Sequence, residues 1–420
     1  MNKLLYLLLL LMLCCPQSLM AVKAVFLFLL ILFSVYKVLT SRERVYRPKY
    51  IRWIILYLFS GVSVLIYGLL KGNPGPHFYY LVYFVWPIVF PLIFSLIKYD
   101  TLQKVIHVFE AAYVFIFIMG MLTFLKLNFG FPSFFNQEIF GYGETTTARP
   151  MFLVLSFSGG AVVQFFVLFS FLMPFYCLEK GGITLKRGLL LMAGMLYIVL
   201  SSRRIMMLGF VYIPMVTLIL LHFSRIRLSK KYLLSIIKTY IIPFCVMIMG
   251  IGYIFIDSED ASTFFLSAVS SDGDFGQGGN DRLDQFYALL KGWQNNFFFG
   301  AGTGIDAGVT RSDLPGTYEL SYMAILFERG TIGGLLYFSI MAYPIIRAIR
   351  LGKHSIDFHT KRLLISYCTC YISLLIANAT NPYIGAFDFI WIVFLFIVIL
   401  NLTDKKLIYE RKNLCNNSSI

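Results

Sequence analysis

Apolar runs near the length of a bilayer crossing recur along the chain, separated by short polar stretches. They read as spans over Leu4–Met20, Ala24–Leu39, Trp53–Leu70, Tyr79–Ile97, Val105–Leu127, Phe152–Leu178, Gly188–Leu200, Ile205–Phe223, Leu233–Ile256, Ser321–Tyr343, Leu363–Thr380 and Phe387–Leu402. A helix needs about 20 apolar residues to cross a hydrocarbon core, where its backbone must satisfy its own hydrogen bonds. The pattern predicts an all-α polytopic membrane protein with about 12 transmembrane helices, forming a single integral membrane domain over residues 1–420. The first run follows Lys3 and is not followed by the small-residue cleavage site of a signal peptide, so it reads as a retained span.

The alternation fails once. Residues 257–320, between helices 9 and 10, form a long polar loop that holds ten of the 21 Asp and Glu residues. Its Ser271–Asn280 part is rich in turn formers. Asp281 then offers a cap for a helix from Arg282, in which Leu283, Phe286, Tyr287, Leu290 and Trp293 share one apolar face. Such a helix lies on the membrane or on the helical bundle. The glycine-rich Gly300–Gly308 comes next. It lacks the Gly-Lys-Ser/Thr and the strand context of a phosphate loop, and reads as a re-entry into the membrane.

Composition and charge set the orientation. The chain is 59% hydrophobic and 14% charged, against about 25% charged in a soluble domain. Its formal charge of +15 does not call for nucleic acid, because membrane proteins keep an excess of Lys and Arg on the cytoplasmic side. With both termini cytoplasmic, 26 of the 36 Lys and Arg residues fall on that side: Lys3, and those in or beside 41–52, 98–104, 179–187, 224–232, 347–362 and the tail after 402. The 257–320 loop is then extracytoplasmic. Cys14, Cys15, Cys177, Cys245, Cys368 and Cys370 lie in or beside apolar runs and read as small core residues, and no spacing suggests a metal site.

Two groups of charges resist so plain an account. Ser201-Ser-Arg203-Arg204 interrupts a stretch that is otherwise apolar from Gly188 to Phe223. Either it is an outer hairpin whose side chains snorkel to headgroups, or the two arginines lie below the surface, where an ionisable residue marks function. Glu328 and Arg329 fall inside the tenth span, roughly 12 Å along it, as a structural pairing with other helices or as part of a site. Gly330, Gly333 and Gly334 follow, and allow either close helix packing or a break that lets backbone line a cavity.

These residues carry a resemblance. Ser201-Ser-Arg203-Arg204, Asn280-Asp-Arg282 opening an amphipathic segment with Trp293, Phe299-Gly300-Ala-Gly302-Thr-Gly304, and Glu319 through Glu328, Gly330 and Gly333 together resemble the O-antigen polymerases and ligases. The rest of the chain matches that family in hydropathy and topology only. Many ligases carry a His just before the span that begins here at Ser321, where this chain has Glu319.

The resemblance implies a GT-C-like glycosyltransferase of the bacterial inner membrane, with a polyprenyl-diphosphate-linked oligosaccharide as donor and no cofactor. A flippase and a chain-length regulator are its implied companions, with membrane lipid around it. A polymerase passes the growing glycan of a lipopolysaccharide or capsule onto the next lipid-linked repeat unit; a ligase passes it to lipid A–core. Fixed Arg side chains suit a departing diphosphate. Arg203, Arg204 and Arg282 come first for that role, with Arg149, Arg311, Arg329 and Glu328 behind them. Glu319 is the candidate general base, beside Tyr318 and Tyr322 as stacking partners for sugar. Two readings from other classes are a lipid-linked-oligosaccharide flippase and a non-catalytic polysaccharide-binding component. Charge concentrated toward the outside speaks against the first.

Overall fold

The computed structural model describes residues 2–16, 18–40, 45–129, 132, 145–147, 154–156, 159–179, 183–200, 204–226, 234, 274–309, 316–355 and 357–417. Its described helices are α1 (Asn2–Cys14), α2 (Met20–Thr40), α3 (Pro48–Leu70), α4 (Trp86–Phe94), α5 (Leu102–Phe129), α6 (Gly159–Cys177), α7 (Leu185–Leu200), α8 (Arg204–Phe223), α9 (Asp274–Asn295), α10 (Ser321–His354), α11 (Phe358–Asn378) and α12 (Phe387–Asn417). A small ribbon of β1 (Thr145–Thr147) and β2 (Val154–Ser156) pairs antiparallel, with Thr146 opposite Leu155.

Among the described residues, five helical segments are long and apolar enough to cross a membrane: Met20–Thr40, Pro48–Leu70, Tyr99–Lys126, Ser321–His354 and Phe387–Glu410. Shorter apolar helices accompany them at Lys3–Cys14, Leu81–Phe94, Ala161–Cys177 and Leu208–Phe223. The expected span Leu233–Ile256 and the loop residues up to 273 lie outside the described residues, apart from residue 234.

Two expected spans differ in form. Tyr79–Ile97 is not one α-helix but a 3₁₀ turn (Pro76–Tyr79), a π turn (Leu81–Val85) and then α4. Pro87 and Pro91 supply the reason, since proline lacks an N–H and crowds the preceding turn, and the wider π turn absorbs the mismatch. Within the expected span from Phe152, Val154–Ser156 pairs with the β-branched Thr145–Thr147, and the described helix runs over Gly159–Cys177.

The core is built around α12, whose apolar window is 89% buried, against 17% for α2. Phe109 of α5, Phe171 of α6 and Tyr367 of α11 meet ring to ring beside it. At the periphery Phe28 of α2, Phe59 of α3 and Leu208 of α8 are exposed, an outer surface matched to lipid rather than water.

Polar contacts join loops into two sets. In one, Arg47, Lys49 and Arg347 meet Asp404, Lys406 meets Asp357, Tyr99 meets Thr360, and Glu179 meets Arg187 and Arg362. These residues come from the basic segments that alternation of spans assigns to one face. In the other, Asn73 and Gly75 bond the 301–304 backbone, Arg282 meets Glu319, and Lys23 meets Asp388. These come from segments assigned to the opposite face.

Candidate functional site

The second set of contacts surrounds a break in α10. Gly330 has φ 64° and ψ −173°, a region open in practice to glycine alone. In a continuous helix Thr331 N–H would bond Phe327 O and Ile332 N–H would bond Glu328 O. Four bonds to the 297–302 segment replace them. Ala301 N–H donates to Phe327 O and Gly302 N–H to Glu328 O, both at 2.9 Å, while Thr331 N–H reaches Phe297 O at 2.7 Å and Ile332 N–H reaches Phe298 O at 3.2 Å. An unpaired backbone group costs several kcal/mol in hydrocarbon, on the order of 4–8, so irregular backbone is stable there only when another segment satisfies it. The exchange needs glycine on both sides. A Cβ on Gly300 would sit 2.4 Å from Gly330 N, and a Cβ on Gly330 would sit 2.4 Å from Gly300 N.

The same loop is pinned to α3 and its following turn. Asn73 Nδ2 donates to the carbonyls of Ala301 and Thr303 at 3.0 and 3.1 Å, and Gly75 N–H donates to Gly304 O at 3.0 Å. The sequence-level reading of 300–308 as a segment returning toward the bundle thus has a backbone explanation.

Glu328 and Arg329 are buried on either side of this junction and have separate partners. Glu328 Oε1 accepts from Gly304 N–H at 3.2 Å. Arg329 Nη1 donates to Ser60 Oγ at 2.7 Å and to Ser60 O at 3.1 Å, and its guanidinium lies 4.9 Å from the ring centres of both Tyr83 and Tyr337. The π turn before α4 carries Tyr83, and Gly61 packs against it. Arg329 therefore holds α10 to α3 and to that turn.

Above the break, α9 meets the start of α10. Arg282 Nε and Glu319 Oε2 form a 2.7 Å ion pair. Gln285 lies one turn further along α9 and is fully buried. Its Oε1 accepts from the N–H groups of Glu319 and Leu320 at 2.9 and 3.0 Å. It thereby caps a helix whose own N-cap residue, Leu320, supplies no side-chain bond.

The buried face of α9 overlaps the expected one in part: Phe286, Leu290 and Trp293 are half-buried, and Trp293 packs against the cluster of Leu289, Ala301, Tyr318 and Phe327. Leu283 and Tyr287 are 50% and 59% exposed, while Gln285 and Leu289 are buried. Gln285's bonds and the contact of Gly292 with the Phe327 ring choose the buried stripe. The helix also begins at Asp274 rather than Arg282.

Tyr318 is buried. Its hydroxyl donates to Ile305 O at 2.6 Å and accepts from Ala307 N–H at 2.7 Å, so it staples the loop, and its ring meets Phe327 edge-on. Tyr322 donates to Leu375 O and packs on Phe338, joining α10 to α11. Arg204 opens α8, with only its backbone described, and Arg149, Arg203 and Arg311 lie outside the described residues. Among the described residues, no three His, Cys, Asp or Glu side chains group as metal ligands.

The structure adds a polar centre that sequence reasoning missed. Lys23 Nζ meets Asp388 Oδ1 at 2.7 Å and Cys15 O at 2.6 Å, both side chains being buried. Gln164 and Trp391 donate to the Asp388 carbonyl. The signal was one lone cation and one lone carboxylate, each at the start of an apolar run.

Neither a scan against protein-family models nor a search of curated proteins finds a match to this chain.

Proposed function

We propose that the chain is a glycosyltransferase of the O-antigen polymerase type, extending a surface polysaccharide from a polyprenyl-diphosphate donor. In this reading about 12 helices cross the inner membrane, both termini are cytoplasmic, and the 257–320 loop lies outside. The observation that carries the reading is the meeting of Arg282 and Glu319. Sequence reasoning gives these residues complementary roles, and they lie 37 positions apart in the chain yet 2.7 Å apart in space.

The chemistry follows from that pair. The acceptor hydroxyl attacks the anomeric carbon of the donor sugar, a new C–O bond forms, and the bond from that carbon to the diphosphate oxygen breaks. Glu319 takes the hydroxyl proton, and Arg282 holds the departing diphosphate through its planar fork. Without substrate the two side chains neutralise each other. A diphosphate carries more charge than one carboxylate, so donor binding draws Arg282 away and leaves Glu319 free to act as base. Arg203 and Arg204 are the further candidates for the donor. Arg329, held by Ser60 and two Tyr rings, supports the scaffold instead.

The test uses the full chain in liposomes with lipid-diphosphate repeat units, reading product length on a gel. Glu319→Gln is expected to slow extension by about 10²–10⁴-fold while leaving the protein folded. Near-normal chains from that variant would remove Glu319 from the mechanism, and no chain growth by the unaltered protein would remove the polymerase reading.

One observation favours a different class. The buried Lys23–Asp388 pair resembles the ionisable pairs that line transport paths. A flippase would move a labelled lipid-linked oligosaccharide across the liposome membrane at unchanged length, whereas a polymerase lengthens it.

A further inference from the structure

We propose that the basic surface where α3, α10 and α12 meet, opposite the site above, binds the headgroup of an acidic phospholipid carrying two phosphates. Asp404 of α12 is almost fully buried and takes three cations at once. Lys49 Nζ lies 2.5 Å from Oδ2, Arg347 Nη2 lies 2.8 Å from Oδ1, and the Arg47 guanidinium also bonds Oδ2. Arg347 Nε further donates to Tyr50 Oη at 3.4 Å, and that hydroxyl donates to Leu400 O at 3.0 Å.

Two more cations extend the array. Arg52 stands three residues beyond Lys49 on α3, and Arg350 three residues beyond Arg347 on α10, so each shares its neighbour's helix face. Both are exposed. Three cations thus meet one carboxylate, and two more stand on the same helix faces one turn away.

Ordinary cytoplasmic Lys and Arg residues snorkel independently to the headgroups. Here a buried carboxylate holds three of them in place, and their excess charge still needs an anion. Arg52 and Arg350 project from two helices, one prong for each phosphate. The adjoining surfaces of α3 and α10 are apolar and exposed at Ile55, Phe59 and Ile346, which gives acyl chains a place to lie and favours lipid over free phosphate. Basic pockets between helices at a membrane face are suited to such headgroups.

The test uses the purified full chain, delipidated in detergent. Cardiolipin, phosphatidylcholine and inorganic phosphate are titrated in separate arms, with bound lipid read by native mass spectrometry and melting temperature in parallel. Cardiolipin is expected to stay bound and raise the melting temperature, and the other two to do neither. Each surface cation contributes about 1 kcal/mol to such binding, so Arg52→Gln with Arg350→Gln should weaken cardiolipin retention by about 30-fold. Both residues are exposed, so the lipid-free melting temperature should not move. Equal retention of phosphatidylcholine, or unchanged cardiolipin retention by the double variant, overturns the site. An equal response to inorganic phosphate overturns its assignment to lipid. The arms on the unaltered protein decide the question whether or not the double variant folds.

Discussion

Arg282 and Glu319 pair across the junction of α9 and α10, while Gln285 fixes the backbone beside the carboxylate. The pair is partly exposed, so it adds only about 0–1 kcal/mol to stability. Arg282→Lys keeps the charge but not the planar fork. It is expected to melt within about 2–4 °C of the unaltered protein and to extend glycan about 10²–10³-fold more slowly. Full activity from this variant would mean that charge alone suffices.

The backbone exchange at Gly330 predicts a graded effect of added methyl groups. Gly308 and Gly330 both have positive φ, at 79° and 64°, but a Cβ at Gly308 meets nothing within 4 Å. Gly308→Ala should cost about 1–2 kcal/mol from backbone strain alone. Gly330→Ala should cost at least about 3 kcal/mol, because it also forces apart the 297–302 segment. Thermal unfolding in detergent separates the two. Equal losses would show that strain, not the exchange, dominates.

The Lys23–Asp388 pair predicts non-additive stability. Lys23→Met leaves a buried carboxylate without its cation and should cost about 3–5 kcal/mol. Combining it with Asp388→Leu should recover most of that loss, since a buried pair replaced by apolar residues is often neutral. Losses that simply add would mean the two residues are not coupled.

Asp357 predicts a pH dependence. It caps α11, accepting from the His359 and Thr360 N–H groups, the Thr360 hydroxyl and the Lys406 ammonium. Partial burial raises its pKa, but these donors outweigh burial and hold it at about 2, below the ordinary 3.8. With the folded pKa depressed, its stabilisation is complete above about pH 4 and is lost as pH falls toward 2. Asn still caps a helix but carries no charge. The melting temperatures of the unaltered protein and Asp357→Asn should therefore converge between about pH 4 and pH 2. A gap that ignores pH would refute the assignment.

Orientation is tested with a reporter fused at Gly278, within α9. It should be active only outside the cell, and cytoplasmic activity would overturn the mechanism along with the topology.

The helical class and the long apolar helices are legible in the chain, because a span is local and must be apolar. The grouping of loops into two faces follows for the same reason. Gly330 was readable as a break or a packing point, but the choice depended on Phe297–Gly302, which local pattern does not connect to it. The buried face of α9 was only partly readable, because Gln285, a polar residue, is buried to cap another helix. Tyr318 and Tyr322 read as stacking partners for sugar, and local pattern does not show that their hydroxyls bond carbonyls 13 and 53 positions away in the chain. Lys23 and Asp388 are 365 positions apart, and nothing local links a lone cation to its carboxylate.

The replaced bonds at Gly330 also order the protein's biogenesis. Phe297–Gly302 leaves the ribosome before Thr331 and Ile332, so the carbonyls of Phe297 and Phe298 must stay hydrated until their partners are made. Re-entry of the loop and insertion of α10 are then one event. A nascent chain ended between 300 and 320 keeps its glycine segment in water, where the finished protein buries it. Fusions in that interval report a precursor, and only those before Phe297 or beyond α10 report the mature topology.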